Sequence, residues 1–400
     1  MINISKLYSG LAGQSDELRY AHTAKTGPIV VYNCTAKCNL RCLHCYSASD
    51  ASRKDAEMTT EQAKKFIAEL PEINAPVLLF SGGEPLLRGD LFELLAEAKR
   101  LRIRTVISTN GILIDEPTAG KLKNAGLSYI GISLDGAEPF HDKFRQKKGA
   151  FNATIKGIQN CQKIGLRTGL RFTITKSNAS QIPLVFDIAV ENEIKRLCFY
   201  HLIRSGRATE IESEILTGQQ TRDAVDTIIQ KTDEFVRPAP ILDRSHPRIQ
   251  TVFAGQNRCG VEEVLTVGNH ADGPYLLVKM QQKGISIDQP QKLLLANGGN
   301  RIGQGIVCVN WKGDVFPDQF WQNYSLGNVM QRGLREIWTN PDKPVLKKLR
   351  NKDKFADKRC LRCKWFNLCK GNFRFLGPDP ADENWLLEPA CYLTDNEIGL

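Results

Sequence analysis

Between residues 28 and 235 short apolar runs alternate with amphipathic stretches, and this alternation limits the fold more than any other feature of the chain. The runs Ile29–Asn33, Val77–Ser81, Arg104–Ser108, Tyr129–Leu134, Thr168–Thr175 and Arg196–Leu202 are rich in Val, Ile, Phe and Thr, as strands buried on both faces should be. Between them, 59–70, 90–101, 151–164 and 181–190 carry a helical period; Leu91, Leu94, Leu95 and Ala98 share one face. Thr59-Thr60-Glu61-Gln62 reads as a capping start. A parallel pair needs a crossover, so this alternation predicts an α/β fold with one parallel sheet. Six such units make a partial (β/α)6 barrel, whose chemistry lies in loops at the carboxyl ends of the strands. Around it we expect an N-terminal extension over 1–27 and the barrel over 28–236. A linker or insertion with limited regular structure follows over 237–305, contributing to a pocket, and then a compact cysteine-bearing unit over 306–400. One more helix is expected over 211–235.

The 400 residues are 42% apolar and 24% charged, which excludes a disordered chain and a small disulfide scaffold. No apolar run approaches membrane-spanning length, and the start MINISKLYSG lacks a basic segment followed by an apolar one. A cytoplasmic location is the expectation. The net charge of +10 suits an acidic partner. We read the surplus as spread along the chain, without the block or the aromatic-interleaved stripe of a nucleic-acid binder. No nucleic acid and no membrane are expected as partners.

Twelve cysteines without a secretion signal point to metal or catalytic sites rather than disulfides. Cys38, Cys42 and Cys45 form a C-x3-C-x2-C group just after the first strand. Three thiolates in one short loop can each bind one iron of a cubane and leave the fourth iron open. The alternative is zinc completed by His44, for which the spacing is poor. Cys34, in the strand edge, is a weaker fourth ligand. Cys360, Cys363, Cys369 and Cys391 supply four thiolates, a closed set that spacing leaves open between zinc and an iron–sulfur cluster. Cys161, Cys198 and Cys308 read as buried thiols, and Cys259 is unassigned.

Polar groups recur after successive strands: Ser81-Gly82-Gly83-Glu84-Pro85, Ser108-Thr109-Asn110-Gly111 and Ser133-Leu134-Asp135-Gly136. Two glycines allow close approach to a ligand, and Glu84 can accept from an ammonium. Hydroxyl and amide groups at neighbouring strand ends suit a ribose and an amino-acid moiety, and Arg171 suits a carboxylate. Each motif alone is an ordinary turn; their joint placement is the signal.

Cys38-x3-Cys42-x2-Cys45 together with Gly82-Gly83-Glu84-Pro85 resembles the radical S-adenosylmethionine superfamily, over about residues 28–205. The resemblance implies a [4Fe–4S] cluster on the triad whose open iron takes S-adenosylmethionine. It places Glu84 at the methionine amine, Asn110 and Ser133 near the ribose, Arg171 near the carboxylate and His44 near adenine. The chemistry implied is one-electron cleavage to a 5′-deoxyadenosyl radical, with the protein supplying position. The C-terminal cysteines resemble the auxiliary-cluster (SPASM) module. They imply a small C-terminal auxiliary iron–sulfur domain with a second [4Fe–4S] cluster. Phe373 and Asp318 stand where a two-cluster module has cysteines, so one auxiliary cluster is expected.

Nearly end to end, the chain is similar to the radical enzymes that modify sirohaem-derived tetrapyrroles. The stretches that carry this are Ile4–Tyr8, Cys198-Phe-Tyr-His201, Gly206-Arg207, 268–275, 297–300, 317–321, 326–329 and 388–393. The family includes enzymes that remove acetates from 12,18-didecarboxysirohaem, giving iron-coproporphyrin III, and enzymes of haem d1 synthesis that act on its propionates. The N-terminal stretch and 198–201 favour acetate removal. An iron-containing tetrapyrrole would then be the substrate, in an anaerobic reaction fed by a ferredoxin or flavodoxin. Arg171, Arg204 and Arg207 suit its carboxylates. Trp311, Phe316, Phe320, Trp321 and Tyr324 suit its flat face, against an alternative of core packing. His201 and His270 are candidates for its iron, and Asp318 is a further candidate substrate contact. His22, His141 and His246 have weaker contexts. A peptide-modifying maturase is the first rival, disfavoured by the short stretch before residue 28. The second is a non-catalytic iron–sulfur or zinc protein, which would not need the strand-end motifs.

Overall fold

The computed structural model describes residues 1–9, 27–236, 261–372 and 390–400. Among the described residues eleven strands form one sheet: β1 (Ile2–Asn3), β2 (Ile29–Thr35), β3 (Val77–Gly82), β4 (Arg104–Thr109), β5 (Tyr129–Ser133), β6 (Thr168–Ile174), β7 (Arg196–His201), β8 (Glu263–Val267), β9 (Ile306–Val309), β10 (Asp314–Phe316) and β11 (Gly327–Asn328). The spatial order is β1-β8-β7-β6-β5-β4-β3-β2-β9-β10-β11. Strands β2 to β8 pair parallel in chain order, and β9 joins parallel to β2.

All six expected strands are present, each fully buried on the face that meets the helices, while in β3 and β4 the alternate residues are only half-buried. Tyr32, Phe80, Ile107, Ile130, Phe172 and Phe199 have at most 1% of their surface exposed. The helices cover them with the periodic faces read from the sequence: Phe66 and Ile67 from Thr60–Ala68, Leu94 and Leu95 from Leu91–Arg100, Val185 and Phe186 from Ile182–Glu191. Each such side chain contributes about 1.5–3 kcal/mol on burial. Thr59 caps its helix as its sequence suggests: its hydroxyl accepts from Gln62 N (3.3 Å), and its own N donates to Gln62 Oε1 (2.8 Å).

Three regions differ from expectation. The stretch read as a linker with limited regular structure carries, in its described part, β8 and the helices Asp272–Gln282 and Asp288–Asn297. Prolines at 238, 240 and 247 prompted that reading, but they lie outside the described residues; the Gly298 of the later loop signal is a left-handed cap (φ 73°) ending the second helix. The helices Glu116–Asn124 and Glu138–Arg145 both open on Glu-Pro, where proline fits the first turn. The helix expected over 211–235 runs Gly218–Val236, after a 3-10 run over Gly206–Glu214.

The first residues and the C-terminal unit are both joined to the sheet. β1 pairs antiparallel with the edge strand β8, and Ser5 Oγ accepts from Val264 N at 3.0 Å. Through β9, β10 and β11 the C-terminal unit continues the sheet, and Trp365, Leu368, Tyr392, Leu393 and Ile398 join the barrel's own core. The segment bearing Cys391 is clamped to the helix Gly218–Val236. Arg222 donates to both oxygens of Glu397 (2.7 and 2.8 Å) and to Tyr392 O (3.2 Å).

This pair titrates in a defined direction. Hydrogen bonding from Arg222 holds the Glu397 carboxyl at about 2, below its usual 4.5. Its stabilisation is full above the usual value and is lost as pH falls through the lowered one. Glu397→Gln should therefore reduce resistance to urea equally at pH 7 and pH 5, with the gap to the parent closing between about 4.5 and about 2. An unchanged gap at pH 3 would show that charge is not what the pair contributes.

Candidate active site

After β2 the chain runs from Ala36 to Met58 without helix or strand, and this loop carries Cys38, Cys42 and Cys45. A buried loop must find partners for its backbone elsewhere. Arg207 supplies several: Nε donates to Cys42 O (2.9 Å), Nη2 to Ser49 O (2.8 Å) and its backbone N to Cys45 O (3.0 Å). Leu43 N donates to Phe144 O and Cys38 N to Asp50 O, both 3.1 Å. Arg207, expected at a substrate carboxylate, is thus 7% exposed and committed to this loop.

The end of β3 closes on the same loop. Gly83 N donates to Thr35 O and Glu84 N to Lys37 O, both 2.8 Å. A Cβ on Gly82 (φ 116°) would meet Thr35 O at 2.6 Å, and one on Gly83 would meet Lys37 O at 2.0 Å. Their close approach is to the cysteine loop, and both also line the cavity at the strand ends. Pro85 opens a one-turn 3-10 helix, Pro85–Leu87, behind them.

One cavity opens at the carboxyl ends of these strands. Cys38, Cys42, Cys45, His44, Gly82, Gly83, Glu84, Asn110, Ser133, Arg171 and His201 all line it, with Tyr46, Arg145, Tyr200, Gln319 and Phe320. The parallel register explains much of the convergence, since the cysteine loop, Glu84, Asn110, Ser133 and His201 end or follow successive strands, while Arg171 lies within β6 and Arg145 comes from a helix. Glu84 is fully buried, and burial pushes its carboxyl up. Oε1 accepts from Leu86 N (3.1 Å) and Thr109 Oγ1 (2.8 Å), and Oε2 from Asn110 N (2.9 Å). With about four lone-pair sites on a carboxylate, one is left for an incoming donor. The Asn110 amide is partly committed, donating to Asn39 Oδ1 at 2.7 Å.

Arg171 lies across Gly131 of the neighbouring strand, where a Cβ would fall 2.2 Å from Nε. That Nε is buried without a hydrogen-bond partner, and Arg171 forms no ion pair among the described residues. A buried guanidinium without an anion is costly, so this wall of the cavity favours an incoming carboxylate.

Two groups that sequence reasoning passed over sit beside the cysteines. Arg145 Nη1 donates to Cys42 Sγ at 3.4 Å, and Nη2 stands 2.5 Å from Asp135 Oδ2. Burial works to raise the Asp135 carboxyl, but Arg145, His44 and His141 hold it below its usual range. His44 stacks on Phe144 (centroids 4.6 Å apart, planes 11° off parallel). Burial lowers its pKa to about 4, so it is a neutral ring. Asp135 had read only as a turn residue. Arg145 lies a hundred residues from Cys42 without a motif of its own.

His201, ending β7, turns Nε2 to Asp272 Oδ2 (2.9 Å), and Tyr392 Oη donates to Asp272 Oδ1 (2.7 Å). Since Tyr392 follows Cys391, this buried carboxylate ties the cavity to the second cysteine group. A second cavity lies between them, lined by His201, Arg204, Asn269, Cys391 and Tyr392 among others. His270 lines neither; its N donates to Asn372 Oδ1 (2.6 Å). Asp318 caps a turn, accepting from Phe320 N and Trp321 N (2.9 and 2.8 Å), and so presents Phe320 to the cavity. Trp311, Phe316 and Trp321 are at most 5% exposed, and Tyr324 packs against the core. Cys34, Cys161, Cys198 and Cys308 are buried thiols away from the cavity. His22, His246, Cys259 and Phe373 lie outside the described residues.

The second cysteine group is half-buried. Burial pushes the Cys360 thiol up to about 11, and the nearby Cys391 and Cys363 add to the rise. N–H donors point at three of the sulfurs: Trp365 N to Cys363 (3.3 Å), Gly371 N to Cys369 (3.3 Å) and Arg359 to Cys391 (3.6 Å). Among the described residues no three Cys, His, Asp or Glu stand as a site for one metal ion. All-thiol sets that receive N–H donors fit an iron–sulfur group, and the uncompensated Arg171 fits the carboxylate of S-adenosylmethionine.

A parallel half-barrel with a three-thiol loop at its mouth defines a radical S-adenosylmethionine enzyme. Two family models agree: the radical SAM superfamily over residues 32–187 and the SPASM iron–sulfur cluster-binding domain over 301–364. The chain is 43% identical to the Fe-coproporphyrin III synthase of Methanosarcina barkeri, covering 100% of this chain and 99% of that one. It is 34% identical to the pre-heme d1 synthase of Dinoroseobacter shibae, covering 93% and 88%. Streptococcus suis SuiB, solved with S-adenosylmethionine, shares the fold at a TM-score of 0.64 and 19% identity, over 89% and 75%. Within the superfamily the chain belongs to the family of these tetrapyrrole enzymes.

The strand-end glycines give a direct test of how the loop is held. Gly83→Ala should cost about 1–3 kcal/mol in chemical denaturation, as overpacking against backbone does. Gly89→Ala, where the added methyl meets nothing within 4 Å, should be close to neutral. Equal effects would mean that the approach to Lys37 is not tight.

Proposed function

We propose that this chain removes acetate side chains from 12,18-didecarboxysirohaem, an iron tetrapyrrole, to give iron-coproporphyrin III. The observation that carries this reading is the 43% identity, over both full lengths, with a protein named Fe-coproporphyrin III synthase. S-adenosylmethionine and two [4Fe–4S] clusters are the cofactors, one cluster on Cys38, Cys42 and Cys45 and one on Cys360, Cys363, Cys369 and Cys391. Among the described residues no helix is long and apolar enough to cross a membrane, and we place the protein in the cytoplasm with a ferredoxin or flavodoxin as electron donor.

The residues of the chain have separable tasks. When bound, the first cluster and S-adenosylmethionine supply one-electron cleavage and a hydrogen-abstracting 5′-deoxyadenosyl radical. Arg171 holds the carboxylate of S-adenosylmethionine by charge. Glu84 offers its remaining lone pair to the amine and braces the ends of β3 and β4. His44, neutral and stacked, offers a flat face to adenine, and Ser133 and Asn110 offer polar groups to the ribose. On the far wall Phe320 and Tyr46, in edge contact at 5.3 Å, give an apolar surface for the macrocycle. His201, oriented by Asp272, stands where both cavities meet and is the residue we assign to the substrate's polar groups or iron.

The decisive assay is anaerobic incubation of the iron-loaded protein with didecarboxysirohaem, S-adenosylmethionine and dithionite, followed by product mass. Loss of acetate is expected. Loss of propionate would move the chain to the reaction of haem d1 synthesis, and unchanged substrate without 5′-deoxyadenosine would end the radical reading. A second test addresses Arg171. Arg171→Met should weaken S-adenosylmethionine binding by about tenfold or more, the worth of a charged hydrogen bond. Gly131→Ala should act in the same direction by displacing the guanidinium. Calorimetric titration of the loaded protein measures both, and unaltered affinity in Arg171→Met would remove that assignment.

A further inference from the structure

The basic surplus is concentrated, contrary to the reading that it is spread along the chain. Between Lys343 and Lys370 there are 11 Lys and Arg against two Asp and no Glu, a surplus of nine out of ten for the whole protein. This segment contains Cys360, Cys363 and Cys369. Lys347, Lys354, Lys358, Arg362 and Lys364 are exposed, and none has a carboxylate partner among the described residues. The same segment exposes two large apolar side chains, Phe355 at 45% and Leu361 at 47%. Leu361 lies between two of the cysteines in sequence, and Phe355 lies between Lys354 and Lys358.

We propose that this face docks an acidic electron-carrier protein, which passes one electron at a time to the iron–sulfur group on Cys360, Cys363, Cys369 and Cys391. The carrier is oxidised by one electron and that group is reduced by one. The proposal rests on the radical-enzyme reading above, which requires such an electron. Apolar contacts within a charged surround are the anatomy of a transient protein interface, and the charge steers encounter. What favours a redox protein over a nucleic acid or an anionic membrane is the half-buried thiols within the charged segment. A carrier seated there is brought next to the group it must reduce, whereas RNA or lipid would gain nothing from that placement.

The test uses the iron-loaded full chain and a purified flavodoxin as probe. Three proteins are compared: the parent, Lys354→Glu/Lys358→Glu/Arg362→Glu, and a control, Lys65→Glu/Lys148→Glu/Lys292→Glu. The control reverses the same number of exposed charges elsewhere. Flavodoxin affinity should fall at least about tenfold in the first variant and less than about twofold in the control, and its salt dependence should flatten only in the first. Formation of 5′-deoxyadenosine with dithionite should be equal in all three, and with flavodoxin hydroquinone it should fall only in the first. Equal weakening in both variants, or none in either, overturns the proposal. So does tighter binding of a structured RNA or of phosphatidylserine vesicles than of flavodoxin at 0.15 M salt. If the triple reversal loads less iron, Lys354→Gln/Lys358→Gln takes its place, and unchanged flavodoxin affinity there overturns the proposal. Absence of dithionite-driven deoxyadenosine in the parent would instead sink the radical reading, leaving the docking result to stand by itself.

Discussion

The arrangement depends on buried arginines that hold a loop with no secondary structure. Within the cysteine loop Cys45 N donates to Cys42 O and Ala48 N to Cys45 O, and Arg207 adds charged donors to Cys42 O and Ser49 O, each contributing about 1.5–3 kcal/mol. Arg145 does the corresponding work at a sulfur, standing between Cys42 and Asp135. Both cations come from segments distant in sequence. The sheet must therefore be assembled from β2 to β7 for the three thiols to have a defined geometry. A charge removed from water is tolerated here because carbonyls, a thiol and a carboxylate surround it.

Electrostatic asymmetry follows from that frame. Glu84 is buried with three of its acceptor sites filled and Asp135 is buried against Arg145, while Arg171, three strands from Glu84 in the sheet, keeps a buried Nε without a hydrogen-bond partner among the described residues. The empty charge selects for a ligand bearing a carboxylate, and the opposite wall is apolar. His201, Asp272 and Tyr392 then join the barrel mouth to the segment of Cys391, so the two thiol groups belong to one cooperative structure. The shared core of Trp365, Leu368 and Ile398 with the barrel makes the same point through packing.

Much of the site was legible before any coordinates. The cysteine groups and the strand-end motifs are short and local, and a parallel sheet brings all its strand ends to one side whatever the details. What stayed hidden were partners chosen by packing. Arg207 has a plausible substrate-binding context in sequence and a structural task in space. Arg145 sits on a helix that opens on Glu-Pro, which periodicity alone passes over. Asp318, read from the resemblance as standing at a cysteine position of the related module, caps a turn with its carboxylate. Strand β8 was missed because the prolines and glycines on either side of Glu263–Val267 in the sequence drew the whole stretch into a linker reading.

By itself the sequence determined the class of chemistry and the parallel α/β class of the scaffold. Thiol spacing limits the group that can be bound, and alternating apolar periods admit little besides a parallel α/β sheet. Only the tertiary structure decided which charges are spent and which remain available. A guanidinium's role depends on whether a carbonyl or a carboxylate lies within 3 Å of it, and for Arg207 the two carbonyls come from residues 165 and 158 positions away.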